Sequence, residues 1–177
     1  MLKMLKQIIM VLGISITLSS WVNASDFMDE SWAKNLCSQW NKHATLSDKL
    51  AGAAWVDNNA GRGYKLIQLY RSECGANTKI QLTIKNQNGK AVCTYGGRPD
   101  SKALSNKVDY VMNAKDKHWI CMGAGKFGCG AAGAMSTGKL KLKGPVAEAK
   151  RIMQPFSSFL KLVGQIPGKK GVDHCPD

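Results

Sequence analysis

The chain has 177 residues, and its 25 Lys and Arg against 12 Asp and Glu give a formal net charge of +13. That length suits one domain with one sizeable core, and beyond the N-terminus no apolar run is long enough to cross a bilayer. The charge implies attraction to something acidic, whether an anionic lipid surface, a polyanion or a protein, without choosing among them.

The chain opens with Lys3 and Lys6, followed by the apolar run Ile8 to Leu18 and then "SSWVNA", with Val22 and Ala24 at the positions a signal peptidase inspects. This predicts a secretory signal peptide over 1–24, cleaved after Ala24, and hence a periplasmic or extracellular protein. Loss of Lys3 and Lys6 lowers the charge by two. No Cys follows the cut, so a lipid-modified N-terminus is not indicated. Cys37, Cys74, Cys93, Cys121, Cys129 and Cys175 all lie beyond it. An even number in an exported chain predicts disulfides; the sequence leaves the pairing open, with Cys121 and Cys129 one candidate pair across a glycine loop.

A helix is expected over "SDFMDESWAKNLCSQWNKHA" (25–44), capped by Ser25 or Asp26, with Met28, Trp32, Leu36 and Trp40 along one face. A second helix is expected from Ser47 to Val56. The period then drops to two. Strands are expected at Tyr64–Ser72 and at Lys79–Lys85, with Ile80, Leu82 and Ile84 inward and Gln81 and Thr83 outward. Asn88-Gly89 turns the chain into "KAVCTY", and Val108–Ala114 makes a fourth strand. Together these read as an antiparallel meander with one apolar face to be covered.

"KDKHWICMGAG" reads as a short helix. "GAGKFGCGAAGAMSTGK" then matches G-x-G-x-x-G and G-x-x-x-x-G-K, but a phosphate loop needs a strand before it and a helix after it. Here Lys139 is followed by the amphipathic strand Lys139–Lys143, and Leu140 occupies the place of the magnesium-binding hydroxyl. The glycines read as loop, and no nucleotide is expected. Pro145 opens a closing helix striped by Ala149, Ile152, Phe156, Phe159 and Val163 and widened by Met153 and Leu160; Pro155 should kink or restart it near Gln154. Residues 165–177 read as a tail that only Cys175 could pin.

Two of these pieces resemble the sterol carrier protein type-2 domain. "KDKHWICMGAGKF" looks like that family's short helix after the fourth strand, with Trp119, Met122, Gly125 and Lys126 in the matching positions; "MSTGKLKLKG" leading into "PVAEAKRIM" is similar to its last strand and closing helix. The order of elements agrees over roughly 46–160. The link between the pieces differs, since "GCGAAGA" stands where the family has a shorter segment with Asn-Pro.

The resemblance implies an α+β fold over 25–164, with a five-stranded, mainly antiparallel sheet covered on one face by N- and C-terminal helices. It also implies non-enzymatic binding or transfer of a sterol, fatty acyl chain, phospholipid or isoprenoid through an apolar tunnel. The expected lining is Trp119, Met122, Phe127, Met135, Ile152, Met153, Phe156, Phe159 and Leu160, apolar, bulky and clustered in the last third. Lys139, Lys141, Lys143, Lys150, Arg151 and Lys161 are the expected contacts to an anionic membrane, touched transiently. The competing reading is a basic module that binds an acidic protein or polyanion and fills its own interior.

Catalysis finds little in the sequence. His43, His118 and His174 carry no metal or triad signature, although His118 lies three residues before Cys121, a conceivable Cys-His pair. No enzyme activity, cofactor or metal is expected. No nucleic-acid motif appears, and oligomeric state is left open.

Overall fold

A computed structural model describes residues 25–176, so the expected signal peptide lies outside the described residues. Two helices come first, α1 (Glu30–Asn41) and α2 (Ala44–Gly52). Strands β1 (Lys65–Arg71), β2 (Ile80–Gln87), β3 (Lys90–Gly97) and β4 (Tyr110–Ala114) follow. The rest comprises α3 (Asp116–Gly123), α4 (Ala131–Ser136), β5 (Leu140–Lys143), α5 (Val146–Arg151) and α6 (Met153–Gln165). The α+β class and the five-stranded sheet are those expected.

The sheet order is β3-β2-β1-β4-β5, antiparallel throughout except for the parallel pair β1–β4. This corrects the simple meander. Three strands run up and down, then the segment 98–109 carries the chain back across to lay β4 beside β1. A parallel neighbour needs a crossover of about a dozen residues, and that segment supplies it.

Register places Lys65, Ile67 and Leu69 of β1 opposite Ile84, Leu82 and Ile80 of β2, so these side chains share one face. Met112 and Leu142 continue it on β4 and β5. Against this face pack α1, α2 and α6, burying Trp32, Leu36, Trp40, Leu46, Leu50, Phe159 and Val163. The other face carries polar side chains, as the alternation implied, yet Gln81 and Thr83 are buried as well. The crossover segment folds over it: Gln81 donates to Asp100 (2.9 Å) and accepts from Gln68 (3.0 Å).

Helix boundaries move for local reasons. α1 starts only at Glu30, where the Asp29 carboxylate accepts from the Trp32 N–H (2.7 Å); Met28 before it is left-handed (φ 67°). Phe27 instead donates to Lys169 O (2.8 Å), tying the N-terminal stretch to the tail. α2 starts earlier than expected, and Trp55 and Val56 are buried in the turn after it. The glycine segment is not all loop, since 131–136 form α4. The closing helix is interrupted as expected, at Ile152 (φ −105°, ψ 35°), two residues before Gln154. Pro155 falls in the first turn of α6, where its missing N–H has no partner to lose.

Two glycines permit contacts that a side chain would forbid. A Cβ on Gly164 of α6 would lie 2.3 Å from Trp119 O and 2.5 Å from Gly123 Cα of α3; one on Gly96 of β3 would lie 2.3 Å from Ala33 O of α1.

All six cysteines pair: Cys37–Cys93 joins α1 to β3, Cys74–Cys175 anchors the tail, and Cys121–Cys129 closes the loop after α3. The tail is therefore far from free. Arg71, fully buried at the end of β1, donates to Asp116 and to the carbonyls of Gly171 (2.7 Å) and His174 (2.6 Å). Among the described residues no helix is long and apolar enough to cross a membrane.

Candidate functional site

Between the core face of the sheet and the closing helices lies an inner hollow. Ile67, Tyr110 and Met112 form its floor; Trp40, Leu50 and Trp55 close one side; Ala149, Ile152, Pro155, Phe156 and Phe159 make the roof. Its volume is about 20 Å³, which is room for about one water. Aromatic rings take up the remaining space. Trp40 meets Phe159 edge-on at 5.6 Å and lies tilted against Trp55 at 6.2 Å, and Trp55 stacks on Tyr110 at 6.1 Å.

Behind the Trp55–Tyr110 pair sits a buried polar cluster. Lys65, completely buried, places Nζ 2.7 Å from Glu148 Oε2 of α5. Glu148 also accepts from Asn58 Nδ2 (2.6 Å) and from the Tyr110 hydroxyl. Trp55 Nε1 donates to the same hydroxyl at 3.3 Å, and the ammonium stands 4.5 Å from the centre of the Trp55 ring. Burial drives the Lys65 amine below its usual pKa, against the pull of Glu148. Burial also raises the Tyr110 phenol, and the neighbouring carboxylate raises it further. This cluster ties the roof element α5 to the first strand of the floor.

A larger space lies outside the roof. Ala132, Met135 and Ser136 of α4, Val146 and Lys150 of α5, and Met153 of α6 line a mainly apolar surface cleft of about 460 Å³. That is the size of a small-molecule site. The two spaces adjoin at the helix break, where Ile152 belongs to the inner hollow and Met153 to the outer cleft. Just beyond it, Lys49 of α2 donates to Gln154 (2.9 Å).

The residues expected to line a tunnel therefore divide. Ile152, Phe156 and Phe159 line the inner hollow; Met135 and Met153 line the outer cleft. Trp119, Met122 and Leu160 are buried but border neither space, because the α3–α6 crossing at Gly123 and Gly164 encloses that region in core packing. Phe127 is a correction: it is fully exposed, projected by the disulfide-closed loop.

The expected basic contacts are also dispersed. Lys150 rims the cleft, Arg151 and Lys161 are exposed on α5 and α6, and Lys141 and Lys143 are exposed on β5. Lys139 bends back to donate to Gly128 O (3.1 Å). The conceivable Cys-His pair is ruled out as a nucleophile, since Cys121 is bonded to Cys129 and His118 Nδ1 lies 3.2 Å from Lys139 O.

Most of the inner lining was not legible in the last third of the chain, because Trp40, Leu50, Trp55, Ile67, Tyr110 and Met112 come from earlier elements. One signal was present: Lys65 stands in the inward register of β1 with Ile67 and Leu69, where a charge requires a buried partner.

Among solved structures, the fold matches a crystal structure of sterol carrier protein 2 at 17% identity and a TM-score of 0.51, covering 80% of this chain and 99% of that one. A solution structure of a conserved hypothetical protein from Thermus thermophilus, described as possibly a sterol carrier protein, matches at 16% identity and a TM-score of 0.46, covering 85% and 98%. No protein-family model and no curated protein matches the sequence. The chain has the sterol carrier protein fold.

Proposed function

We propose that the protein is a non-enzymatic lipid carrier acting outside the cytoplasm, after export by its signal sequence. What carries this reading is an aromatic inner hollow and an apolar outer cleft on either side of α5 and the start of α6, where Ala149 and Ile152 line the hollow and Lys150 and Met153 the cleft. In the hollow the rings of Trp40, Trp55, Tyr110 and Phe159 close on one another. An acyl chain or ring system enters from the cleft as α6 lifts at the helix break and displaces Phe156 and Phe159 from Trp40. The six paired cysteines support an oxidising compartment.

The energetics favour exchange over tight capture. Burying about 400 Å² of lipid surface at ~25 cal/mol/Å² yields about 10 kcal/mol gross, but a bilayer offers the same lipid much the same burial. Donor and carrier thus nearly balance, as transfer requires. Rings packed against one another leave no dry cavity and avoid its cost.

The competing reading, a basic module with a self-filled interior, draws on the small size of the hollow. Native mass spectrometry of protein purified from its host separates the two. Lipid retained near one-to-one, and uptake of a fluorescent fatty acid, support the carrier. A clean apo mass with no uptake supports the module.

A further inference from the structure

Phe127 has no structural task in this fold, since its ring is fully solvent-exposed. The loop that presents it is nonetheless tightly built. Cys121–Cys129 closes it, Lys126 N donates to Cys121 O (3.3 Å) and Cys129 N to Lys126 O (3.0 Å). Gly125 (φ 60°) and Gly128 (φ 72°) on either side of Lys126-Phe127 hold left-handed turns that few other residues tolerate. The backbone that carries the ring is held in place, so little backbone entropy is lost when something covers it.

The surroundings define what that something is. Lys126 sits beside Phe127, Lys139 Nζ rests on Gly128 O, and Lys161 Cε lies 4.0 Å from where a Gly125 Cβ would stand. Between Asp116 and Asp173 the chain holds ten Lys and Arg and a single acid, Glu148. Glu148 is buried against Lys65, so this stretch offers no acidic side chain to solvent. A soluble polyanion would account for the lysines alone. It would not account for the exposed apolar side chains in the same stretch, Phe127, Ile120 and Val146. An anionic bilayer accounts for both, with phosphates for the ammonium groups and the headgroup–acyl boundary for the ring.

We propose that the disulfide-closed loop 121–129 is a membrane-docking tip that inserts Phe127 into an anionic leaflet while Lys126, Lys139 and Lys161 hold lipid phosphates. The tip belongs to the same stretch without an exposed acid as Lys150 and Met153 of the outer cleft. The inference deepens the lipid-carrier reading and gives the carrier its place of exchange.

The test is co-sedimentation with vesicles of phosphatidylglycerol and phosphatidylcholine, or of phosphatidylcholine alone, at about 0.1 M salt. Wild-type protein is expected on the anionic vesicles only. Phe127→Ser should weaken partitioning about tenfold, since burial of an aromatic ring is lost. Lys126→Gln and Lys161→Gln should weaken it about fivefold each. Far-UV circular dichroism checks that the variants fold, which full exposure of Phe127 makes the expected result. Wild-type protein left in the supernatant, or bound equally with Ser at 127, overturns the proposal. So does heparin binding that outcompetes the vesicles and ignores Phe127. Uptake of a dispersed fluorescent fatty acid without vesicles is measured in parallel. Uptake without docking sinks this inference alone, and docking without uptake sinks the carrier reading alone.

Discussion

Lys65 Nζ and Glu148 Oε2 lie 2.7 Å apart at a point that solvent does not reach, one on the first strand of the sheet and the other on the helix that roofs it. Two charges buried this way gain little net stability, but each is costly without the other. The pair therefore fixes how α5 seats on the sheet, and with it where the helix break at Ile152 falls. It borders the inner hollow through the Trp55 and Tyr110 rings, so it also sets how rigid the floor is beneath any guest.

Lys65→Met should destabilise the protein by about 3–5 kcal/mol by leaving Glu148 buried and unpaired. The double variant Lys65→Met/Glu148→Leu should recover most of that loss. Urea denaturation at neutral pH measures both. A double variant as unstable as the single one would mean that the cluster acts through packing and not through its charges.

Arg71 and Asp116 make stability depend on acid. Burial alone would raise the Asp116 carboxyl, but the Arg71 guanidinium and the Gly171 N–H outweigh it and hold the folded-state pKa below the ordinary value. For a depressed carboxyl, the stabilisation is present above the unfolded value near ~3.9 and is lost as pH falls through the folded one. Asp116→Asn should therefore cost stability at neutral pH, and the gap to wild type should narrow as pH falls below the unfolded carboxylate value and through the lower folded one. Urea midpoints across that range test the sign.

Phe156 roofs the inner hollow and is nearly fully buried. Phe156→Ala should cost about 3–5 kcal/mol and leave a larger apolar cavity. A fatty acid should then raise the variant's melting temperature more than that of wild type, because the ligand refills the vacated space. Phe156→Asp, where it folds, should abolish uptake. Unchanged uptake in folded Phe156→Asp would place the guest elsewhere.

Gly164 and Gly123 let α6 cross α3 with backbones in contact. Gly164→Ala would drive a Cβ to 2.3 Å from Trp119 O, a backbone atom that cannot swing away. Overpacking of about 1–3 kcal/mol should lower the melting temperature by about 4–10 °C. Gly130→Ala, with no atom within 4 Å of the added methyl, is the matched control and should change little.

The two halves of the problem were unequally legible. The alternation of Ile80, Leu82 and Ile84, the Asn88-Gly89 turn, the Lys139–Lys143 pattern and the apolar stripe from Ala149 to Val163 are local. Each is a property of a few neighbouring residues and the backbone period they satisfy, so element types and the α+β class could be read directly. The even cysteine count similarly marked a cross-linked chain.

What sequence spacing could not express was contact between distant segments. Parallel pairing of β1 with β4 depends on how the 98–109 segment crosses the sheet, and burial of Gln81 and Thr83 depends on what that segment then covers. The same holds for Phe127. By composition it belonged with Phe156 and Phe159, but two left-handed glycines and a disulfide turn it outward. Lys65 was the opposite case, a charge whose register pointed inward and whose partner lay 83 residues away. The sequence by itself determined most of the segments that form helices and strands, α4 excepted, because hydrophobic period and turn chemistry act within a few residues. Only the tertiary structure decided which apolar side chains surround a hollow, which merely fill the core and which meet the solvent, because burial is a property of the whole packed chain.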